Sequence, residues 1–425
     1  MVLVKNTMKL TRLKLQLYIR KTKYTKVLYT NVNYASYNCK LNRSYFCSSI
    51  RAIYMINYKQ LHSAVKVNSI QGRYVINDMI FPFLDQLNTN FQVEVIGDSV
   101  LGRPIKSVTF GDGPIKIFMW SQMHGNESTT TKAVLDFLNF INQGSDLAQT
   151  ILNGCTIKII PILNPDGATA YTRVNANEID LNRDAQDRSQ PESVILRATF
   201  DRFQPDYCFN LHDQRTIFNV GTTPKPATVS FLAPAHDPIR SISKTRGISM
   251  QLIVAMNKVL QTYIPGQVGR YDDGFNANCV GDTFQMQNKP TILFESGHFP
   301  NDYEREQTRE LIFTAMLSGI AVIVQQNLEE YPQKDYFLIP ENGKLFYDIL
   351  IKNADFVNKS LQNDQTIGVL YKEALISEKI HFVPSLEKIK KNDTFFGHIT
   401  LNCLNNKDLK KIKDMPELWN LLCSN

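Results

Sequence analysis

The stretch that decides the fold is IKIFMWSQMHGNE, residues 115–127. It opens with a near-continuous apolar run, IKIFMW, of the kind that forms a strand buried on both faces of a sheet. A polar turn follows, and helical spacing of apolar residues begins just beyond it, at Thr129. A second apolar run, TIKIIPIL, occupies residues 156–163. Apolar strands that alternate with helical segments predict an α/β fold.

This alternation extends from about residue 77 to residue 326. The predicted strands are residues 91–96, 115–121, 155–162, 207–211, 230–233 and 290–295. The predicted helices are residues 129–143, 193–203, 241–263 and 302–326. Because sites in such sheets gather at the carboxyl ends of the strands, the polar residues that follow each strand are the candidates for chemistry.

Two further segments flank the α/β region. Residues 1–54 are basic, contain no acidic residue, and lack the apolar segment of a secretory signal. We interpret them as a disordered leader, either an organellar transit peptide or a stretch upstream of a true start at Met55. After Tyr331, segments such as YFLIP, KLFYDILI, TIGVLY and KIHFVPSL indicate a β-rich appendage. We therefore expect the main domain over residues 75–330 and a small β-rich domain over residues 331–425.

The charge of the chain is divided unevenly. The formal net charge is +7, but residues 1–77 carry 14 basic residues and no acidic one, which leaves 33 basic and 40 acidic residues for the remainder. A basic excess confined to one end does not indicate a nucleic-acid partner. No apolar run reaches about 18 residues, so we expect no transmembrane segment. The seven cysteines include no Cys-x-x-Cys pair, which argues against a thiolate zinc site and slightly favours a cytoplasmic location.

A histidine and a glutamate follow the first buried strand. His124 and Glu127 lie three residues apart across a strand-to-helix turn, so both side chains can reach one ion. Zinc accepts imidazole nitrogen and carboxylate oxygen, and a catalytic site needs three protein ligands with one position open for water. Most isolated His-x-x-Glu pairs are merely surface or helix-start residues, so the pair needs a third ligand to be informative.

The third candidate ligand is His212. The strand DYCFNL runs directly into it, which places it at a strand end like the first pair. A lone histidine is more often a hydrogen-bonded core residue. Its agreement in position with His124 and Glu127 favours a zinc site formed by all three.

The most specific stretch is PILNPDGATAYTRVNANEIDLNRD, residues 161–184. Its Asn-Pro-Asp-Gly segment is a strong turn signal, and a polar loop follows. Arg173, Asn182 and Arg183 in this loop are suited to gripping carboxylate or carbonyl oxygens, because a guanidinium presents a planar fork of donors. Surface arginines are usually only solvated charges, but two beside a candidate zinc site favour contact with a substrate.

A glutamate ends the last predicted strand, KPTILFE. A carboxylate at the end of an apolar strand is costly unless it is paired or functional, and burial raises its pKa toward the range useful for proton transfer. We therefore predict that Glu295 is the general base.

The ordered elements His-x-x-Glu, Asn-Pro-Asp-Gly, Arg, Asp-Leu-Asn-Arg, His and Glu resemble those of the zinc metallocarboxypeptidases similar to carboxypeptidase A. The resemblance covers roughly residues 91–326. It implies a mixed, mostly parallel central sheet flanked by helices, with one zinc ion per chain. It also implies a hydrolase that cleaves peptide bonds and releases a C-terminal amino acid, with a peptide or amino-acid amide as substrate; it leaves the oligomeric state open.

The resemblance also implies roles for individual residues. His124, Glu127 and His212 would bind zinc, with Glu295 as the base that activates water. Arg173 would stabilise the tetrahedral oxyanion, and Asp180 would accept a hydrogen bond from a zinc-ligating histidine. The groups that would hold the terminal carboxylate of the substrate are Asn182, Arg183 and a mobile tyrosine, for which Tyr271 in GRYDDGFN is the candidate by spacing.

The sequence departs from the digestive members of that family in two places. The loop over residues 164–182 is short, and His212 is followed by Asp-Gln where many members have serine. The preferred side chain at the cleaved end therefore stays unassigned, although Asp282 would suit a basic side chain or an amine.

Three alternatives share parts of the pattern. N-acyl-amino-acid deacylases similar to aspartoacylase also have His-x-x-Glu, Asp-Leu-Asn-Arg and a distant histidine. A peptidoglycan-peptide amidase is a variant of the peptidase interpretation. A degenerate binding module would keep the fold and lose catalysis, but all three ligands and the base are present here.

Overall fold

A computed structural model of the chain describes residues 56–389 and 394–424. The leader predicted over residues 1–54 lies outside the described residues. The strands are β1 (Phe91–Asp98), β2 (Pro104–Phe110), β3 (Ile115–Ser121), β4 (Cys155–Ile160), β5 (Tyr207–Asp213), β6 (Asn219–Val220), β7 (Val229–Leu232), β8 (Val268–Arg270), β9 (Thr291–Ser296), β10 (Asn342–Gly343), β11 (Phe346–Lys352), β12 (Thr366–Ile376), β13 (Lys379–Ile389) and β14 (Phe396–Asn402).

Most α-helices of the described residues lie on the two faces of the main sheet, and the last two lie near the C-terminus. They are α1 (Tyr58–Val65), α2 (Asn77–Leu84), α3 (Thr129–Asn142), α4 (Asp146–Gly154), α5 (Pro165–Ala170), α6 (Pro191–Phe203), α7 (Lys244–Leu260), α8 (Val280–Met286), α9 (Glu306–Gln325), α10 (Asn406–Lys413) and α11 (Pro416–Cys423).

The main sheet has eight strands in the order β1-β2-β4-β3-β5-β9-β7-β8. The central strands β4, β3, β5 and β9 are mutually parallel, and the pair β7–β8 is parallel too. Antiparallel pairs join β1 to β2, β2 to β4 and β9 to β7. The predicted mixed, mostly parallel central sheet flanked by helices is confirmed.

Strand β3 shows why its sequence is apolar throughout. Ile117 and Met119 belong to the larger core, which includes residues of α3, α7 and α9. Phe118 and Trp120 belong to the smaller core on the other face, with residues of α6 and α8. Because successive side chains of a strand point to opposite faces, both sets must be apolar when helices cover both sides.

The register of the parallel strands places the polar residues at one edge. Ser121, the last residue of β3, lies beside Leu211 of β5. His212 of β5 lies directly beside Glu295 of β9. The turn that carries His124 and Glu127 follows β3, so all four candidate residues come to the carboxyl edge of the sheet, as expected for parallel strands.

Each of the six predicted strands and four predicted helices is present, β3 with the predicted bounds and the others with shifted ends, but the sequence interpretation missed several elements. Strand β2 carries a proline, a lysine, a serine and a threonine, and its apolar residues do not form a continuous run. The segment YFLIP is not a strand: residues Gln333–Leu338 form a 3₁₀-helix that begins after Pro332. Proline fixes the backbone angle φ at its own position and favours such a turn over a ladder.

The C-terminal part contains a four-stranded sheet in the order β13-β12-β11-β14. Strand β11 pairs antiparallel with β12 and parallel with β14. Its apolar face forms a separate core with the final helices, to which Ile351, Val369, Leu401 and Leu418 contribute. The helices α10 and α11 were not predicted. The division at residue 331 stays a prediction.

Helix α9 is long and apolar enough, by length and composition, to cross a membrane. Of its most apolar 18-residue window, 83% is buried inside the structure, where it packs in the larger core. That burial is what the central helix of a globular domain shows.

A buried ion pair ties α9 to the segments before the main sheet. The guanidinium of Arg309 donates from Nε and Nη2 to the two carboxylate oxygens of Asp136 in α3, at 2.6 Å each, and neither side chain is exposed. Asp136 also accepts from the backbone N–H of Val67 and contacts His62 Nε2, both at 2.8 Å. Arg309 donates further to the carbonyls of Ile70 and Val67. This network therefore joins the first part of the described chain, residues 62–70, to α3 and α9.

We predict that Asp136→Ala lowers the free energy of unfolding by about 3–5 kcal/mol, because it leaves the Arg309 charge buried without a partner. Chemical denaturation of the variant and the parent protein measures this difference. Asp414→Ala is the matched control, because Asp414 pairs with Lys410 on the surface, where both side chains are more than half exposed. Equal stability losses in the two variants would contradict the importance of the buried pair.

Candidate metal centre

The turn after β3 is held by the Asn-Pro-Asp-Gly segment. Asn164 caps α5 by accepting from Gly167 N at 2.8 Å, and its Nδ2 donates to the Met123 carbonyl at 3.2 Å. A Cβ on Gly125 would lie 1.9 Å from the backbone carbon of Gly167, so only glycine fits there. The two sequence signals, His-Gly-Asn-Glu and Asn-Pro-Asp-Gly, therefore form one packed unit that fixes the position of His124.

Three buried side chains converge beside this turn. His124 Nδ1 lies 2.8 Å from Glu127 Oε1, and His212 Nδ1 lies 2.9 Å from Glu127 Oε2. The two Nδ1 atoms are 3.1 Å apart. Each group offers a ligand atom, and the three atoms lie within 4.8 Å of one another. The structure therefore brings together the three residues that the sequence predicts as metal ligands.

Asp180 determines which nitrogen of His124 is available. Its Oδ1 lies 3.0 Å from His124 Nε2, and Oδ2 is 3.1 Å from Arg173 Nε. Burial alone would raise the pKa of Asp180. The hydrogen bond with His124 and the positive charge of Arg173 outweigh this effect and hold the pKa well below its usual range. An ionised carboxylate only accepts hydrogen bonds, so Nε2 of His124 carries a proton and the neutral ring presents the Nδ1 lone pair.

This tautomer tests whether the residues fit a zinc ion. With a lone pair on His124 Nδ1, the ring would face the Glu127 carboxylate, another acceptor, at hydrogen-bond distance. The contact is favourable only if a cation or an extra proton lies between them. Two imidazole nitrogens and one carboxylate are a common ligand set of catalytic zinc. The ring nitrogen of a zinc-binding histidine that does not bind the metal commonly donates its N–H to a carboxylate, as His124 Nε2 does to Asp180. The group fits zinc.

Glu295 lies beside this group on the neighbouring strand. Its carboxyl is buried, and its Oε2 has no hydrogen-bond partner among the described residues. Burial, followed by the negative charges of Glu127 and Asp213, raises the pKa of Glu295 well above its ordinary value. A buried carboxyl with a free oxygen and a raised pKa can exchange protons with a group bound next to it.

A cavity of about 380 Å³, which we call the metal-side cavity, collects most of the predicted residues. Those that line it are His124, Arg173, Asn182, Arg183, His212, Tyr271, Asp282 and Glu295. Glu127 and Asp180 are absent from the lining but contact lining residues directly. The nine predicted site residues and Asp282 therefore belong to one region of the molecule.

Arg173 is an exposed member of this set. Its side chain is 48% exposed, and Nη1 lies 3.2 Å from Glu127 Oε1. Asn182 Oδ1 accepts from Val280 N at 3.0 Å, which fixes the amide in the cavity wall. Arg183 Nη1 donates to the Asn182 carbonyl at 2.7 Å and approaches Cys279 Sγ at 3.1 Å. The Asp180 carboxylate contacts Arg173 Nε and accepts from the backbone N–H of Asn182 at 2.9 Å, so it holds this part of the cavity wall in place.

Tyr271 follows β8 in the cavity wall. Its backbone N–H donates to the Phe231 carbonyl at 2.9 Å, and its ring packs on Phe218 with centroids 5.4 Å apart. Burial, together with the negative charge of Glu295, raises the pKa of the Tyr271 hydroxyl, so that it stays protonated and able to donate. Its predicted contact with a substrate carboxylate stays a prediction.

Two residues of β5 in this region were not predicted. Asp213 donates its backbone N–H to Glu127 Oε2 at 3.1 Å and accepts from Thr129 N at the start of α3 at 2.9 Å. Asn210 lines the metal-side cavity, and its buried Oδ1 has no partner among the described residues. A signal for Asn210 was present: it lies two residues before His212, hence on the same face of the strand.

Comparisons with known proteins agree with this geometry. A family model described as zinc carboxypeptidase matches residues 80–246. Carboxypeptidase SOL1 of Arabidopsis thaliana is 38% identical over 105 residues, which are 23% of this chain and 21% of that protein. Gamma-D-glutamyl-L-diamino acid endopeptidase 1 of Lysinibacillus sphaericus is 33% identical over 95 residues, 20% of this chain and 22% of that protein. The alignments thus span about a fifth of these relatives' length.

The fold also has a counterpart among solved structures. A protein from Shewanella denitrificans OS-217, named as a carboxypeptidase A, superposes with a TM-score of 0.50 at 19% identity, over 58% of this chain and 69% of that one. This likeness concerns the fold. The family match includes the three candidate ligands and the polar loop, while Glu295 and Tyr271 lie beyond it. Residues 80–246, which carry the three candidate ligands, are therefore similar to the zinc carboxypeptidase family.

Proposed function

We propose that this protein is a zinc-dependent metallocarboxypeptidase that hydrolyses a peptide bond and releases a C-terminal amino acid. The observation that carries the proposal is the buried, incompletely bonded carboxyl of Glu295 beside the convergent group of His124, Glu127 and His212. A zinc ion held by that group would supply Lewis-acid activation of water and of the scissile carbonyl.

Glu295 would act as the proton carrier. In our proposal its carboxylate takes a proton from the attacking water and returns it to the departing amine. Burial favours the neutral form, so the carboxylate is a stronger base than in water. The Oε2 atom without a partner leaves one oxygen available for this transfer.

The positive and amide groups of the cavity would orient the substrate. Arg173 would stabilise the negative charge that develops on the carbonyl oxygen, which its exposed guanidinium can reach by leaving Glu127. Asn182, Arg183 and Tyr271 would hold the terminal carboxylate, because they provide donors along the same wall. The carboxypeptidase matches make the deacylase, amidase and binding-module alternatives unnecessary.

Asp282 supports a preference for a basic side chain at the cleaved end. It lines the metal-side cavity, and burial raises its pKa to about 6. Its Oδ2 accepts from Asn276 N at 2.8 Å, which holds the carboxyl in place. The carboxylate forms as the pH rises through about 6, so attraction for a cationic side chain increases over that range.

The protein should contain about one zinc ion per chain, the number that a three-ligand site holds. We expect His212→Ala to lose most of this zinc, because one imidazole ligand is removed. Metal analysis by mass spectrometry after dialysis measures the content. His381→Ala is the control, since His381 is exposed on β13. Full zinc in His212→Ala would contradict the proposed ligand set.

Glu295→Gln should lower kcat by at least about a hundredfold, the usual scale for removal of a general base, while zinc is retained. Hydrolysis of a C-terminally free peptide measures kcat, and metal analysis checks the site. Glu329→Gln, at an exposed glutamate outside the cavity, should behave like the parent. Unchanged kcat in Glu295→Gln would mean that a residue other than Glu295 is the general base.

The ratio of kcat/KM for a peptide ending in lysine to one ending in leucine should increase from pH 5 to pH 7, because Asp282 ionises over this interval. We expect Asp282→Asn to lower the ratio at pH 7 about tenfold, the scale of one charge-assisted hydrogen bond, and to flatten its pH dependence. The ratio removes pH effects common to both peptides. A ratio that does not depend on pH in the parent protein argues against this role.

A further inference from the structure

A second cavity, of about 320 Å³, adjoins the metal-side cavity. Glu127 lines it, and Asp213, Gln214 and Arg215 line both this cavity and the metal-side cavity. The outer wall comes from the C-terminal sheet, through Tyr371, Lys372 and Glu373 of β12 and Phe382 of β13. The small sheet thus reaches the candidate catalytic centre.

Hydrogen bonds hold this wall in place. Glu373 pairs with the buried Arg73 at 3.0 Å between Oε1 and Nη1, and it accepts from the hydroxyl of Tyr171. Tyr171 directly follows α5 and lies two residues before Arg173. Strand β12 is therefore fastened to the same segment that carries a predicted substrate contact.

A second attachment involves Asp348 of the neighbouring strand β11. Asp348 of β11 accepts from the Tyr303 hydroxyl at 2.9 Å and from Tyr371 N at 2.8 Å. The rings of Tyr303, Tyr371 and Phe382 contact one another, with centroid distances of 5.2 to 6.2 Å. An aromatic wall held by these bonds offers a preformed surface for a side chain or a backbone.

The charged groups of the second cavity differ in exposure. Glu127 belongs to the ligand group and Glu373 pairs with Arg73. Asp213 is buried; its Oδ2 accepts from Thr129 N, and its Oδ1 has no partner among the described residues. Arg215 and Lys372 are exposed and form no ion pair within residues 56–389 and 394–424. Two exposed cations without an ion pair among the described residues favour a negatively charged ligand.

We propose that this cavity binds the side chain of the third substrate residue from the C-terminus, and that it favours an acidic side chain. This residue lies two positions before the amino acid that is released. The inference rests on the proposed carboxypeptidase function. The proposed donors for the terminal carboxylate line the metal-side cavity, and Asp213, Gln214 and Arg215 line both cavities, so a peptide held by its C-terminus can extend over these shared residues into the second cavity.

The test uses N-terminally blocked tripeptides X-Phe-Leu, with glutamate, glutamine or lysine at X. We expect kcat/KM to follow the order glutamate, glutamine, lysine, with at least about a threefold advantage of glutamate over glutamine, the scale of exposed ion pairs. Lys372→Glu should reverse the order and favour the lysine peptide. A gain for one substrate cannot arise from loss of folding.

Lys379→Gln is the matched control, because Lys379 is an exposed lysine of the same sheet that does not line the cavity, and its variant should keep the parental order. Equal kcat/KM for the three peptides, or an order that Lys372→Glu does not change, overturns the subsite and leaves the carboxypeptidase proposal standing. Failure to cleave any of the three overturns the carboxypeptidase proposal, and the subsite with it.

Discussion

The register between β5 and β9 is the constraint on which the rest of the site depends. It places His212 beside Glu295 at the carboxyl edge of the sheet. A slip of one residue would turn one of the two side chains to the opposite face. The buried Arg305 holds the register at the strand ends, because it donates to the Ser296 carbonyl at 2.8 Å and to the Gln214 carbonyl at 3.0 Å. The candidate base and a candidate ligand are thus fixed relative to each other by backbone pairing, while the packed turn of Gly125 brings in the other two ligands.

Electrostatics explains why these buried groups need a cation. Glu127, Asp213 and Glu295 are all buried within the same region. Glu127 faces two imidazoles, and Asp213 accepts from one backbone N–H, that of Thr129. Asp213 Oδ1 and Glu295 Oε2 have no partner among the described residues. Buried carboxylates are costly unless they are paired or bind a metal. The family model described as zinc carboxypeptidase matches residues 80–246, which include Glu127 and the two histidines, and so agrees with a zinc ion at this group.

The sequence was most informative where chemistry follows a strongly patterned strand. His124, Glu127, His212 and Glu295 each follow or end an apolar run, so a single-sequence argument could place them at one edge. Asp213 was harder, because its contribution is a backbone N–H to Glu127, which no side-chain pattern reveals. The second cavity could not be predicted from the sequence, because its wall depends on an ion pair between Arg73 and Glu373, which are 300 positions apart. The segment YFLIP was predicted wrongly because its apolar residues suit a strand, while the preceding proline starts a 3₁₀-helix.

The most direct measurement is anomalous diffraction at the zinc absorption edge from crystals of the purified protein. The account predicts one strong peak about 2.0–2.2 Å from Nδ1 of His124, Nδ1 of His212 and the carboxylate of Glu127. It also predicts that His124 Nε2 stays bonded to Asp180. A peak bound through Nε2 of either histidine, or located away from these three residues, would contradict it.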